Sequence, residues 1–400
     1  MAVPTSSALR RALRVLDVTD FYSDTVSGGV KTYLHAKAAA LEALGVEHAI
    51  VVPGPSESME ALGASRLYRL PGRVLPTSRA YRVMLSSSAL RAVIERERPD
   101  VIEVGSPFII PWLLERAMEG ERIPTVGFYH ADIVRTFAEP YVPSRFAAPV
   151  RVLARVGARA FVRRVYGRFD RTVAASSSVA EELRGLGVPN VRCVGLGVSL
   201  DTFRPLPATE RIDRSAWGVE PGVPVGIYAG RFCAEKRLDV LLEGHGLIPE
   251  QERPHLVLVG GGPWLGRIQS LARRRRRLTV LPYVQGRGEL ARILASADFY
   301  LAPGPGETFG LAIAEALACG LPVVVVDRAA GVDRIAGTSA GETYRHGDPA
   351  SAADALVRMA ARFGPEISRE ARAHAERTFD WRRTFATLVE LYRELAPAAG

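Results

Sequence analysis

Cysteine is scarce in this chain, and its spacing excludes two kinds of small-protein scaffold. The 400 residues contain three cysteines, Cys193, Cys233 and Cys319, and no C-x-x-C motif. An odd number of scattered cysteines argues against a disulfide framework, and the missing motif argues against a structural zinc site. We therefore expect a protein of a reducing compartment, for which the cytoplasm is the simplest location.

Long hydrophobic runs are missing as well. The longest, FIIPWLL and LPVVVV, fall far short of the roughly 20 residues of a transmembrane helix. The opening segment MAVPTSSALRRALRVL lacks the apolar centre of a signal peptide. The dinucleotide fingerprint G-x-G-x-x-G is also absent, which argues against an NAD-dependent enzyme.

The composition that remains is that of an ordinary globular protein with a basic surface. The hydrophobic fraction is 48% and the charged fraction 24%, so a packed core is expected. A chain of 400 residues suits two domains better than one. The net charge of +9 fits an anionic substrate, an acidic membrane surface or a nucleic acid.

Strand-like and helix-like segments alternate along the whole chain, which predicts parallel sheets covered on both faces by helices. A polar, proline-containing stretch at 199–222 marks a boundary. We predict an N-terminal domain over 1–205, a C-terminal domain over 206–380, and a helix over 381–395 that packs across the junction. The predicted strands are LRVLDV, HAIVVPG, DVIEVG, PTVGFYH, RTVAAS and VRCVGLG, followed by VPVGIYAG, HLVLVGG, LTVLPYV, DFYLAPG and LPVVVVD.

Ligands of such sheets bind beyond the carboxyl ends of the strands, so the loops there are where chemistry is expected. Gly28 and Gly29 precede a helix, where backbone N–H groups can approach an anion. The alternative for these glycines is a plain connecting loop. Arg231 and Lys236 flank a strand-to-helix turn and suit a pyrophosphate, although a solvated turn with acidic partners would also explain them.

Three further side chains stand at strand ends or in unusual surroundings. His130 follows a predicted strand, although a lone histidine is more often structural. Glu307 precedes the helix of the segment GETFGLAIAEALACGLP, where a simple first-turn acid would also fit. Glu315 lies within that helix among Ala, Ile and Leu, and a carboxylate buried there is costly without partners. Such an acceptor-only side chain is suited to ligand hydroxyls.

The ordered set of these residues resembles the retaining family 4 glycosyltransferases of GT-B fold. The residues that carry the resemblance are Gly28 and Gly29, His130, GVSLDTFRP at 197–205, Arg231 with Lys236, and Glu307-x7-Glu315, and they span essentially the whole chain. The resemblance implies an α/β protein with two facing Rossmann-like domains and a deep cleft between them. It also implies that a nucleotide-sugar donor binds to the C-terminal domain.

The resemblance also implies roles for individual residues. Arg231 and Lys236 match the pyrophosphate cations, and Gly29 matches the phosphate contact of the N-terminal domain. Glu307 matches the residue that holds hydroxyls of the transferred sugar, and Glu315 the ribose-binding glutamate. The remaining matches are Thr308, Phe309, Gly310 and Leu311 beside the sugar and phosphates, Val284 of the PYV segment at the base, and His130 between donor and acceptor. One departure is Arg237, because a glycine commonly follows the lysine in the family.

We therefore expect transfer of a hexosyl group, with retention of configuration, from GDP-mannose or a UDP-hexose to a hydroxyl of a lipid, glycan or small molecule. The chain contains no D-x-D motif, so we expect neither a metal nor another cofactor, and electrostatic stabilisation of the leaving group by cations and helix N-termini. Two alternatives remain. One is a nucleotide-sugar epimerase or hydrolase of the same fold, and the other is a non-catalytic nucleotide-sugar binding protein.

Two basic segments suggest partners. The segment 145–169 mixes arginines with Val, Leu and Phe and resembles an interfacial helix for an anionic membrane, with a helix packed on its own domain as the alternative. The corresponding location is cytoplasmic and peripheral on the inner face of the membrane. The run ARRRRRL at 272–278 fits cations at a helix end better than a nucleic-acid site, because no nucleic-acid module accompanies it.

Overall fold

The structure is a computed structural model that describes residues 11–24, 28–75, 78–133, 148–328 and 330–396. Its described strands form two sheets, one in each half of the chain. The α/β architecture expected from the sequence is confirmed, since parallel strands alternate with helices through most of both sheets.

The first sheet has the strand order β3-β4-β2-β1-β6-β7-β8-β9, with β5 paired to β4. Most neighbours are parallel, but β3 and β5 both run antiparallel to β4. These three strands are not predicted from the sequence, because β3 is mostly exposed and β4 contains Pro71 and Gly72, so neither gives a continuous apolar run. The strands are β1 Arg14–Val18, β2 Glu47–Gly54, β3 Ser58–Leu62, β4 Ser65–Leu75, β5 Ser78–Met84, β6 Val101–Val104, β7 Thr125–Tyr129, β8 Arg171–Ala174 and β9 Val191–Cys193. The helices are α1 Gly29–Ala43, α2 Ser87–Glu97, α3 Ile110–Ala117, α4 Ala148–Tyr166 and α5 Ser177–Gly185.

The second sheet is parallel throughout, in the order β12-β11-β10-β13-β14-β15. Its central strands are mostly buried and apolar, as expected where helices cover both faces. The strands are β10 Val225–Arg231, β11 His255–Gly261, β12 Leu278–Leu281, β13 Phe299–Ala302, β14 Val323–Val326 and β15 Gly341–Tyr344. The helices are α6 Leu238–Leu247, α7 Leu265–Ala272, α8 Arg287–Leu294, α9 Leu311–Ala318, α10 Ala330–Ile335, α11 Pro349–Arg362, α12 Pro365–Thr378 and α13 Trp381–Leu395.

The last helix, α13, returns from the C-terminal half to pack on the first domain. The Asp380 side chain caps it by accepting from the Arg382 N–H at 2.9 Å. Phe385 and Leu388 are fully buried, and each such side chain contributes about 1.5–3 kcal/mol of burial free energy. On the side of α1, Lys37 Nζ donates to the Tyr392 hydroxyl at 2.8 Å. A single hydrophobic cluster therefore contains side chains from both sheets and from α13.

Candidate active site

Two cations at the carboxyl end of β10 and a carboxylate in the loop after β13 lie at one edge of the second sheet. Lys236 lies in a 3₁₀ turn after β10, and its ammonium pairs directly with Glu307 Oε1. Arg231 Nη2 lies 2.6 Å from Glu235 Oε1. The sequence-predicted residues Arg231, Lys236 and Glu307 are thus brought to one region, where each cation has a carboxylate as its partner.

Gly304, which sequence reasoning did not single out, packs closely against both side chains of the Lys236–Glu307 pair. A Cβ at Gly304 would lie 3.2 Å from Lys236 Cδ and 3.3 Å from Glu307 Oε1. Distances in that range are tighter than ordinary van der Waals contact. The sequence shows only a glycine in the loop after β13. A glycine there indicates that another group approaches closely, but it does not identify that group.

Arg237 shows how this chain accommodates its departure from the family pattern. Its backbone lies in the left-handed region, with φ of 48°, where glycine is favoured and other residues are strained. Its guanidinium Nε lies 3.1 Å from Asp239 Oδ1, so its charge is directed toward a different carboxylate from that of Lys236. The turn therefore forms with an arginine at position 237 instead of a glycine, and Lys236 still pairs with Glu307.

Glu315 is buried within α9, with 5% of its surface exposed, and its partner is a cation from another loop. Arg287 Nη2, in the first turn of α8, lies 2.8 Å from Glu315 Oε1. Burial raises the pKa of Glu315, and the Arg287 charge opposes that rise. Both residues line a cavity of about 150 Å³ with Gly230, Gly260 and Val284, beside the carboxyl ends of β10 and β11. The sequence indicated the need for a partner but did not identify Arg287.

His130 follows β7 on the facing domain and is held by aromatic rings. Its imidazole stacks on Phe128 with ring centroids 4.1 Å apart, and the Tyr33 ring lies 5.0 Å away. Burial lowers the pKa of His130 to about 3. The imidazole is therefore neutral at physiological pH and is suited to hydrogen bonding rather than to carrying a charge.

Direct contacts join the two domains at these loops. The Thr308 hydroxyl donates to the His130 carbonyl oxygen at 2.7 Å. A Cβ at Gly29 would lie 3.3 Å from Leu311 Cδ1, so the glycine loop touches the start of α9. Tyr81 of β5, which sequence reasoning missed, brings its hydroxyl to 3.7 Å from a Cβ built at Gly28. The N-terminal glycines, His130 and the segment after Glu307 therefore face one another across the junction.

Phe309 and Gly310 shape the entry to α9. Phe309 is buried beneath the Arg334 guanidinium, which lies 4.5 Å from the ring centroid. Gly310 adopts φ of 82°, a conformation that favours glycine, and directs the backbone into the helix. The N-terminal end of α9, whose first N–H groups have no partner within the helix, therefore lies next to Gly29.

A network of buried polar side chains lies in the N-terminal domain, beneath the part of the site that contains His130. Lys37 Nζ lies 2.9 Å from Asp17 Oδ1 and 3.1 Å from Glu103 Oε1, and all three side chains are buried. The Tyr33 hydroxyl donates to Glu103 at 2.8 Å, and the Tyr392 hydroxyl donates to the other Glu103 oxygen. Burial raises the pKa of Glu103 to about 7 against the attraction of Lys37. The network joins Tyr392 of α13 to Tyr33, whose ring packs on His130.

The basic segment 145–169 is described from residue 148 onward, and its residues 148–166 form helix α4. Residues 145–147 lie outside the described residues. The second half of α4 packs inward through Val162, Val165 and Tyr166. Its first half exposes Val152, Leu153 and Val156 on the outer surface. No helix in the described ranges is both long and apolar enough to cross a bilayer.

The arginine run at 272–278 has partners within its own domain. Arg276 Nη2 lies 2.7 Å from Glu220 Oε1, and Arg277 Nη1 donates to the Arg253 carbonyl at 2.7 Å. Arg275 donates to the carbonyl of Leu242. These partners lie outside the preceding helix α7, so the arginines are held by other parts of the domain, and the helix-end role expected from the sequence stays a prediction.

Known proteins provide the decisive comparison. Residues 27–202 match the family model described as Glycosyltransferase Family 4, and residues 223–362 match that of Glycosyl transferases group 1. A GDP-mannose-dependent alpha-(1-6)-phosphatidylinositol dimannoside mannosyltransferase of Mycobacterium tuberculosis is 31% identical over 94% of this chain and 95% of its own length. The chain belongs to glycosyltransferase family 4.

Further relatives agree with this membership. A GDP-mannose-dependent alpha-mannosyltransferase of Mycobacterium tuberculosis is 29% identical over 79% of each chain. Sucrose-phosphate synthase from Thermosynechococcus elongatus has a similar fold, with a TM-score of 0.76 over 96% of this chain and 99% of its own, at 19% identity. The expected GT-B fold is confirmed, and this family 4 protein is a glycosyltransferase that uses a nucleotide-sugar donor.

Proposed function

We propose that this glycosyltransferase transfers mannose from GDP-mannose to a hydroxyl group of a glycolipid, with retention of anomeric configuration and without a bound metal or other cofactor. The observation that carries the proposal is the pairing of Lys236 with Glu307, in the loop whose Thr308 contacts His130 across the domain junction. The donor and the acceptor class follow the names of the mycobacterial relatives, of which the first is a phosphatidylinositol dimannoside mannosyltransferase.

Donor binding would exchange the partners of the two cations. In the structure, Glu235 pairs with Arg231 and Glu307 pairs with Lys236. The diphosphate oxygens would replace these carboxylates, and each charge-assisted contact contributes roughly 1.5–3 kcal/mol. Glu307, released from Lys236, would then accept hydrogen bonds from hydroxyls of the mannosyl group. Glu315 would accept from the ribose hydroxyls in the cavity that it shares with Arg287.

Transfer would then rely on electrostatic stabilisation of the departing diphosphate. Arg231, Lys236 and the first N–H groups of α9 would face the negative charge that develops as the glycosidic bond breaks. The acceptor hydroxyl would attack from the same face, and a departing phosphate oxygen would take its proton. The neutral His130 would orient the sugar by hydrogen bonding. Contacts such as Thr308 to the His130 carbonyl would keep water from the donor.

Helix α4 supports a lipid acceptor. Its exposed Val152, Leu153 and Val156 lie on the same helix as Arg159 and Arg163, which gives an apolar and cationic outer surface. Such a surface suits the boundary between anionic headgroups and acyl chains. We accordingly propose a peripheral position at the cytoplasmic face of an anionic membrane.

The proposal predicts that GDP-mannose, rather than UDP-hexoses, binds in the presence of EDTA. Calorimetry with GDP, UDP, ADP and their sugar conjugates measures this, and Lys236→Ala should weaken GDP-mannose at least tenfold because a charged phosphate contact is lost. Arg237→Gly is the matched control, since it removes the neighbouring charge of the same turn and should change affinity by less than about twofold.

Product analysis separates the remaining alternatives. Transfer of mannose to phosphatidylinositol dimannoside in detergent micelles, with an α-linkage seen by NMR, supports the proposal. Conversion of GDP-mannose without acceptor would indicate an epimerase or hydrolase instead. Tight donor binding with no transfer to any acceptor would indicate a binding protein. Transfer by the wild type that is lost in Lys236→Ala or Glu307→Ala, with the fold intact, would exclude it.

A further inference from the structure

Asp20 is a buried carboxylate at the carboxyl end of β1 that the donor site does not use. Only 6% of its surface is exposed. The Met84 N–H donates to Asp20 Oδ1 at 3.0 Å, and the Asp20 backbone N–H donates to Ser106 Oγ at 3.1 Å. The second carboxylate oxygen, Oδ2, is buried and has no hydrogen-bond partner in the part of the chain that the structure describes.

A carboxylate in this state is costly to the folded protein. A buried acceptor without a donor destabilises the folded state, and a charged acceptor does so more strongly. Burial raises the pKa of Asp20 to about 7, which shows how poorly its surroundings stabilise the ionised form. Unsatisfied buried groups are few in folded proteins and are typical of ligand sites.

Asp20 lies at the same edge of the first sheet as His130. Ser106 follows β6 as Asp20 follows β1, and these two strands are paired in the sheet. A Cβ at the intervening Gly105 would lie 3.1 Å from Thr19 Cβ and 3.4 Å from His130 Cδ2. Asp20, Ser106 and His130 therefore follow three adjacent strands at the sheet edge where ligands of parallel sheets bind.

We propose that Asp20 and Ser106 bind a hydroxyl group of the acceptor, next to the hydroxyl that attacks the donor. This rests on the proposed glycosyl transfer, because it requires a polyhydroxylated acceptor near His130. The pair is chemically suited to an alcohol: Asp20 Oδ2 accepts the hydroxyl hydrogen, and the Ser106 hydroxyl, for which no acceptor is found among the described residues, donates to the hydroxyl oxygen. Since Oδ2 is covered, local opening must precede acceptor binding.

Asp20→Asn and Ser106→Ala test the assignment, with Asp24→Asn as the matched control. Asp24 is an exposed carboxylate of the same loop that pairs with Arg69. For each variant we would measure GDP-mannose affinity by calorimetry, melting temperature, and the acceptor KM with methyl α-mannoside, myo-inositol and micellar phosphatidylinositol dimannoside. We expect the acceptor KM to rise tenfold or more in Asp20→Asn and severalfold in Ser106→Ala, with donor affinity changed less than about twofold.

The outcomes distinguish this inference from the proposed function. An acceptor KM that stays at the wild-type value in both variants overturns the inference, whatever happens to the melting temperature. Weaker donor binding in step with the rise in KM also overturns it, since Asp20 would then act on the donor site. If Asp20→Asn does not fold, Ser106→Ala still decides. Failure of the wild-type protein to bind GDP-mannose, or to transfer to any of the three acceptors, refutes the proposed function instead.

Discussion

At the scale of single residues, Asp20 links pH to stability in a predictable direction. Burial raises its pKa from 3.8 to about 7, so the folded protein holds the proton more tightly than the unfolded chain. Below about pH 4, Asp20 is protonated in both the folded and the unfolded state and leaves the free energy of unfolding unchanged. As the pH rises to about 7, its ionisation in the unfolded chain lowers the free energy of unfolding, by at most about 4 kcal/mol. Relative to wild type, Asp20→Asn should gain stability between pH 5 and pH 8.

Urea unfolding of both proteins at several pH values measures this difference. Asp24→Asn, which alters an exposed carboxylate, should give a curve parallel to that of the wild type. A stability difference between Asp20→Asn and wild type that is independent of pH would show that Asp20 does not titrate in this range.

Residues at strand ends could be predicted from the sequence because strand, loop and helix follow one another along the chain. That order placed Arg231, Lys236 and Glu307 on loops of one sheet edge. It could not reveal Arg287 as the partner of Glu315, nor Tyr81 beside Gly28, since both contacts join segments that only the tertiary fold brings together. The assignment of the site residues to donor and acceptor stays a prediction.

At the scale of elements, α13 depends on a buried ionic network. Lys37→Met would leave Asp17 and Glu103 without their shared cation, and removing one partner of a buried ion pair typically costs about 3–5 kcal/mol. We expect Lys37→Met to lower the free energy of unfolding by that amount in urea titration. Arg393→Met, at an exposed position of the same helix, is the control and should change stability by less than about 0.5 kcal/mol. An equal, small effect of both substitutions would contradict the importance of the network.

The bounds of α13 could be predicted from the sequence, but its contact with helix α1 could not. Apolar residues at helical spacing give the same range, 381–395, in sequence and structure. The network that fixes it to α1 involves polar residues separated by hundreds of positions, which no local pattern indicates. Strands β3 to β5 escaped prediction for the opposite reason, because polar and exposed residues obscured their alternation.

At the scale of the whole molecule, the outer face of α4 predicts selective binding to anionic bilayers. Leu153 is 72% exposed, and Leu153→Glu would place a carboxylate where acyl chains and anionic headgroups are expected. We expect it to abolish co-sedimentation with vesicles that contain phosphatidylinositol. Leu247→Glu is the control, since Leu247 is a 60% exposed leucine at the end of α6 in the other domain.

Two results would contradict the proposed contact between the outer face of α4 and an anionic membrane. Binding of the wild-type protein to neutral vesicles as well as to anionic ones would remove the role of the arginines. Loss of binding in Leu247→Glu equal to that in Leu153→Glu would show that α4 is not the contact.

The return of α13 to the first domain also has a consequence during protein synthesis. Lys37 and its partner Tyr392 are separated by 355 positions, and ribosomes add about 5–20 residues per second. Tyr392 follows the end of β9 by roughly 200 positions, so the N-terminal domain waits on the order of 10–40 s after its own last strand has been made. During that time an apolar surface is uncovered, and Lys37, Asp17 and Glu103 lack Tyr392. A nascent chain in this state is a natural client for chaperones, and the domain that is translated first is completed last.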